Sequence, residues 1–385
     1  MYKRHLLHIT YFLNFFLAFY AFSVTYINSS MLERFWGPSV VGFIYALAAL
    51  GSIATISFIP RLLKNVGDVR WSMIVMCVGI VTSVGLAVAT NPITIVLLFV
   101  LHISCISALL VDMDVFLENT SENEEAGVVR GTFLTIANTA LILSPLLIGL
   151  LLGDTENYSR VYFFSAAILI PALFILSFSY KHFKDPVYTP TPLLGALKKL
   201  IHRPALARIS YVNFVLRFFY AWMVIYTPLY LHNYMGMPWG EIGIIFTIML
   251  IPFALFTLPL GTLADKVYGE KEILIAGLSI LAMATIALFF IKTPSFFIWA
   301  MALLLTRVGA ASVDIMNETY FFKNISPEEA DMASVWRTIE PFAYIVAAII
   351  AGILLLIIPL PFLFPVLGLV VISAIPVAVK LQDTL

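Results

Sequence analysis

Runs of about 20 predominantly apolar residues follow one another along almost the whole chain, and that length matches one helical crossing of a bilayer's hydrocarbon core. A window of this size predicts twelve spans, at 6–28, 39–60, 71–90, 93–117, 128–152, 160–180, 207–232, 240–263, 271–291, 295–322, 332–357 and 361–380. With 61% of residues hydrophobic and 11% charged, no soluble core could hide the apolar surface. The expected fold class is an all-α membrane protein with twelve transmembrane helices. The first apolar run, Leu6 to Ile27, exceeds the apolar region of a signal peptide and reads as an uncleaved span.

Twelve crossings put both termini on one side, and the basic residues say which. With the termini cytoplasmic, the inner side holds Lys3, Arg4, Arg61, Lys64, Arg70, Lys181, Lys184, Lys198, Lys199, Arg203, Lys266, Lys271, Lys323 and Lys380, and the outer side only Arg34, Arg160 and Lys292. Fourteen against three is the bias expected of cytoplasmic loops. The expected location is therefore the cell membrane, with both termini cytoplasmic. A net charge of zero argues against nucleic acid as a partner. Cys77 and Cys105 both fall within spans and read as buried thiols, too few for a disulfide framework or a four-cysteine metal site. No metal or cofactor is expected.

The longest polar interruption lies near the middle. Pro186, Pro190, Pro192 and Pro204 keep it from continuing its neighbouring helices. Between them Leu193, Leu194, Leu197, Leu200 and Ile201 share a helical face opposite Lys198, Lys199, His202 and Arg203, as in a basic amphipathic helix at an anionic membrane surface. The expected organisation is an N-terminal six-helix bundle over 1–180, a cytoplasmic linker over 181–206 and a C-terminal six-helix bundle over 207–385.

The two halves repeat. Ile9-Thr10-Tyr11 and Phe19-Tyr20-Ala21-Phe22 recur as Ile209-Ser210-Tyr211 and Phe219-Tyr220-Ala221-Trp222, while Pro38 and Gly42 recur as Pro238 and Gly243. Further on, Asp112 and Asn119 recur as Asp314 and Asn324. Six spans repeated in one orientation imply two pseudo-symmetric bundles related by an axis along the membrane normal, the arrangement of a two-bundle transporter.

Charges within spans are costly and therefore mark candidate sites. Arg217, Arg307 and His102 fall near mid-span, Glu340 about eight residues into the eleventh span, and Asp112 and Asp314 nearer the cytoplasmic ends. Asn213, Arg217 and Tyr220 share a helical face, and Asn14 lies on the corresponding face of the first span. Arginine stays protonated and offers forked donors, so Arg217 and Arg307 suit an anionic or multiply hydroxylated solute. Glu340 can change charge, because burial raises a carboxyl's proton affinity and a neighbouring arginine lowers it. The expected solute contacts are Asn14, His102, Asn213, Arg217, Tyr220 and Arg307, with Glu340 as a proton-coupling acid.

The stretch GTLADKVYGEK from Gly261 to Lys271 resembles the G-x-L-x-D-R/K-x-x-G-x-K/R loop of the major facilitator superfamily. Its counterpart over Pro60 to Arg70 keeps the basic residues but lacks the leading glycine and the acid. The resemblance implies that fold, a latch on the cytoplasmic face formed by Gly261, Asp265, Lys266 and Lys271, and Asp112 and Asp314 joining such latches. The stretch from Ala140 to Gly149 looks like the family's antiporter motif with three of its four glycines replaced, and inclines the reading towards export.

The function expected is a secondary active transporter moving a small organic solute by alternating access, proton-coupled, as a monomer and not an enzyme. The alternatives are a proton- or sodium-coupled uptake symporter of a sugar or organic anion and, from another class, a non-transporting sensor or a lipid flippase. No P-loop, HExxH or GxSxG motif supports ATP-driven or hydrolytic chemistry.

Overall fold

In a computed structural model, residues 2–120, 126–180, 193–256, 259–260, 264, 269–325 and 330–382 are described, and among them every regular element is helical. The elements are α1 (Tyr2–Thr25), α2 (Asn28–Glu33), α3 (Pro38–Val66), α4 (Asp68–Val88), α5 (Pro92–Thr120), α6 (Ala126–Leu152) and α7 (Ser159–Ser179). They continue as α8 (Leu193–His202), α9 (Pro204–Leu229), α10 (Trp239–Leu255), α11 (Gly269–Leu288), α12 (Phe296–Lys323), α13 (Ala330–Leu354) and α14 (Leu363–Val379). Among the described residues, eleven stretches are long and apolar enough to cross a membrane, and α10, with 17 residues, is a shorter twelfth. The predicted spans are thus found, with two differences. The first is followed at once by the short helix α2, and the eighth is described as helix only to Leu255, where 263 was expected.

Local chemistry sets several helix starts. Proline stands in the first turn of α3 and of α9, where its missing N–H would have no intrahelical partner in any case. Ahead of α5, the Asn91 side-chain oxygen accepts from the backbone N–H groups of Ile93 and Thr94, capping two otherwise orphaned donors.

The chain divides into two compact units. The first comprises Met1–Gly37, Ile44–Pro190 and Pro238–Ile244, and the second Pro38–Phe43, Thr191–Met237 and Ile245–Leu385. In the first unit α1 packs on α5, α6 and α7, and α4 on α5 and α7. Leu13, Leu17, Met76, Phe116 and Leu169 are among its fully buried core side chains. In the second unit α9 packs on α12, α13 and α14, and α11 on α12 and α14. Trp222 Nε1 on α9 donates to the Ala347 carbonyl on α13 (2.7 Å), and Phe321 of α12 stacks on Trp336 of α13 at 4.0 Å between ring centroids. These joints hold α9, α12 and α13 together.

The repeated glycines have a packing reason. A methyl group on Gly243 would lie 2.4 Å from the Pro145 carbonyl oxygen and 2.9 Å from Gly149 Cα, so α6 and α10 meet backbone to backbone. A methyl on Gly42 would meet Tyr226 Oη at 2.5 Å and the Ala348 carbonyl at 2.7 Å. Larger residues would force these helices apart.

The linker helix α8 packs on α9 and α13 through buried Ala196 and Leu200, while Leu197 and Ile201 stay exposed. The two cysteines differ from expectation. Cys105 is buried, but Cys77 is exposed, because the outward face of a membrane helix is as apolar as its inward one and hydropathy does not separate them.

Candidate functional site

The charged residues gather in the second unit. Asn213, Arg217 and Tyr220 follow at intervals of four and three residues on α9 and so share one face. On α12, Arg307 and Asp314 stand two turns apart, also on one face and about 10 Å along the axis. Glu340 enters from α13. Pro341 follows it inside that helix and removes the ladder bond that would reach the Arg337 carbonyl.

Arg217 is the hub. Its Nη2 donates to Asp314 Oδ1 at 2.9 Å, its Nε donates to Asn213 Oδ1 at 3.2 Å, and its Nη1 stands 3.7 Å from Glu340 Oε2. One guanidinium thus serves two carboxylates unequally, a hydrogen-bonded one and a looser one. Glu340 is also the more open, with its side chain 55% exposed against 25% for Asp314.

Tyr220 stands between the two arginines. Its ring centroid is 5.6 Å from Arg217 Cζ and 5.5 Å from Arg307 Cζ, and Phe219 covers Arg307 from 5.4 Å. Arg307 is 2% exposed, and among the described residues neither its Nε nor its Nη1 has a hydrogen-bond partner. Nor is the Tyr220 hydroxyl bonded. The rings give Arg307 cation–π contact, on the order of 1–2 kcal/mol each when desolvated, against an effective burial cost of several kcal/mol for an unpaired ion. That balance leaves a buried cation in want of an anionic partner.

Asn14 and His102 lie in the first unit, each with partners there. Asn14 Nδ2 donates to the Phe133 carbonyl at 2.8 Å and ties α1 to α6. His102 is fully buried, its Nδ1 within 3.2–3.4 Å of the Tyr20, Thr82 and Ser83 hydroxyls, and its Nε2 has no partner. Asp112, expected at a latch, accepts from Ser72 Oγ at 2.8 Å inside the same unit. Asp314, expected beside it in role, accepts from Arg217, because α12 brings it level with α9. Gly261, Asp265 and Lys266 lie outside the described residues, and Lys271 stands in the first turn of α11. Beside it Glu270, 1% exposed, pairs with Lys323 Nζ at 2.5 Å and joins the start of α11 to the end of α12.

The repeat makes this asymmetry plain. Tyr20 and Tyr220 are equivalent by sequence, yet the position matching Arg217 is Leu17 and, at the offset of Asp112 to Asp314, that matching Arg307 is Cys105. The ring of Tyr20 meets neutral-capable His102 at 5.3 Å where Tyr220 meets two arginines. Sequence reasoning missed the pairing of Asp314 with Arg217 and the cover supplied by Phe219. The seven-residue spacing of Arg307 and Asp314 was the available signal.

The sequence profile of the Major Facilitator Superfamily matches residues 6–240 and 228–383. The chain belongs to that superfamily. It is a multi-pass membrane transporter of the secondary kind, not an enzyme. Among solved structures, the nucleoside transporter NupG matches with a TM-score of 0.76 at 16% identity, over 98% of this chain and 100% of that one. An auto-inhibited peptide transporter of the POT family matches with a TM-score of 0.79 at 12% identity, over 99% and 98%. A bacterial homologue of the human lysosomal transporter Spinster, in an inward-facing and unoccupied conformation, matches with 0.69 at 13% identity, over 98% and 95%. At these identities the likeness is one of fold. Comparison with curated protein sequences gives no match.

Proposed function

We propose that this superfamily member is a proton-coupled transporter of a small organic solute working by alternating access, with solute and proton sites on α9, α12 and α13. Arg217, Arg307, Asn213 and Tyr220 contact the solute, Asp314 holds Arg217 in place, and Glu340 carries the proton. One observation supports this reading above the others: Arg217 shares two carboxylates unequally, 2.9 Å from Asp314 and 3.7 Å from Glu340. Protonating Glu340 leaves Arg217 still paired with Asp314, so the proton can come and go without stranding a buried cation.

Solute donors and proton acceptor are separate groups, which favours their joint occupancy and hence symport. The inclination to export rested on Ala140 to Gly149. There Pro145 and Gly149 form the close joint with Gly243, a packing role that needs no antiport. The basic-residue bias supports a cell-membrane location with cytoplasmic termini.

The test is reconstitution into liposomes holding an internal pH dye, screened against sugars, organic anions and cationic drugs. Wild-type protein should acidify or alkalinise the lumen with one solute class. Glu340→Gln should retain solute exchange and lose the solute-driven pH change. A Glu340→Gln protein with unaltered rate and pH dependence would sink the proposal.

A further inference from the structure

Among the described residues of the second unit, Ser210 Oγ, Tyr220 Oη, Tyr226 Oη, Arg307 Nε and Nη1 and both Asn317 amide atoms have no hydrogen-bond partner, and of these groups only Arg307 carries a charge. Arg307 presents three N–H donors, one on Nε and two on Nη1, with no acceptor, and the adjacent Tyr220 hydroxyl is likewise unbonded. Both carboxylates near them are engaged at Arg217. A guanidinium cannot shed its proton, so its charge persists in a setting where water is excluded. A neutral polyol could satisfy the donors but not the charge. A carboxylate satisfies both, since its two oxygens accept from guanidinium N–H groups and from a phenol O–H.

Counting charge carries the argument one step further. Arg217 and Arg307 balance Asp314 and Glu340, so the empty cluster is formally neutral even though its pairing is lopsided. Among the described residues, Tyr220 on α9 acts on Glu340, Glu318 on α12 acts on its partner Arg217, and Arg337 stands three residues back on α13; the last two are exposed and of opposite sign. A single bound anion therefore leaves the cluster one negative charge in excess. Glu340, the open and loosely held carboxylate, is the group that can remove that excess by taking a proton from water.

We infer that Arg307 with Tyr220 is the seat of a carboxylate group on a monoanionic substrate, and that each such anion enters together with one proton taken up at Glu340. This rests on the proposal that the cluster is the transport site, and it adds the charge class of the substrate and an electroneutral stoichiometry. Transport would then not respond to membrane potential.

The test uses the full-length protein in detergent with formate and benzoate as probes, formamide and benzamide as their neutral counterparts, and chloride at equal ionic strength as the control. Both carboxylates should raise the melting temperature saturably and the amides and chloride should not. Arg307→Lys should bind about 10- to 100-fold more weakly, the loss of forked charged hydrogen bonds. Arg307→Gln should melt at or above the wild-type temperature without ligand, having lost an unpaired buried charge, and should not respond to carboxylates. In weakly buffered solution, wild-type protein should take up close to one proton per anion bound, and Glu340→Gln none. Equal responses to carboxylate and amide, absence of any response beyond chloride, or an undiminished response in Arg307→Gln would each overturn the anion seat. Arg307-dependent binding without proton uptake would overturn the one-for-one pairing. Glu340→Gln protein that still moves protons with solute in liposomes would overturn Glu340 as the proton carrier in both readings and leave the anion seat at Arg307 standing.

Discussion

Nη2 of Arg217 on α9 donates to Oδ1 of Asp314 on α12 across 2.9 Å, with the two side chains 16% and 25% exposed. Partial burial makes the pair worth more than a surface ion pair and costly to break from one side. Asp314→Asn should destabilise the protein by about 2–3 kcal/mol, below the 3–5 of a fully buried pair because both groups retain some access. Removing both charges in Arg217→Gln/Asp314→Asn should cost less than Asp314→Asn alone, since no cation is then stranded. Thermal melts of the two single variants and the double variant check this. Additive effects would mean that the two groups do not support one another.

The joint between α6 and α10 allows a sharper comparison. Gly240 and Gly243 stand one turn apart on α10, yet a methyl group on Gly240 would meet nothing within 4 Å, whereas one on Gly243 would lie 2.4 Å from a backbone carbonyl. Gly243→Ala should therefore destabilise by about 1–3 kcal/mol, the usual cost of overpacking where the obstacle is backbone. Gly240→Ala should be neutral, or slightly stabilising through helix propensity. Equal melting temperatures for the two variants would contradict the packing account of the repeated glycine.

The fold was legible because a bilayer demands the same thing of every span, an apolar helix of fixed length, and because the repeat is written in residues such as Tyr20 and Tyr220. The gathering of charge was only half legible. Arg217, Arg307 and Glu340 stood out as ions inside apolar runs, but which carboxylate holds which arginine depends on the level at which antiparallel helices meet. Hydropathy carries no information about that, so the pairing of Asp314 with Arg217 was not foreseen. Cys77 was misjudged for a related reason, since hydropathy does not show which side of a helix in lipid turns inward, and Asn14, expected at the solute, bonds Phe133 within its own unit.

Asn14 supplies a test of that last point. Its amide donates to the Phe133 carbonyl at 2.8 Å in the first unit, and the side chain is 2% exposed. Asn14→Leu should cost about 1 kcal/mol through the lost interhelical bond, in the range measured within membranes. Solute affinity and pH dependence in liposomes should remain as in the wild type. A change in affinity beyond what the lower stability explains would restore Asn14 to the solute site.

The orientation inferred from the basic residues can be read by labelling. Lys198 on α8 and Asp154 after α6 are both exposed, and the sequence places them on opposite sides of the membrane. In a Cys77→Ser background, which removes the exposed native thiol, Asp154→Cys in intact right-side-out spheroplasts should react with a membrane-impermeant maleimide. Lys198→Cys should react only in inverted vesicles or after permeabilisation. The reverse pattern would place the termini outside, and the linker helix, with its exposed Leu197 and Ile201 beside basic residues, would then face the wrong leaflet for anionic lipid.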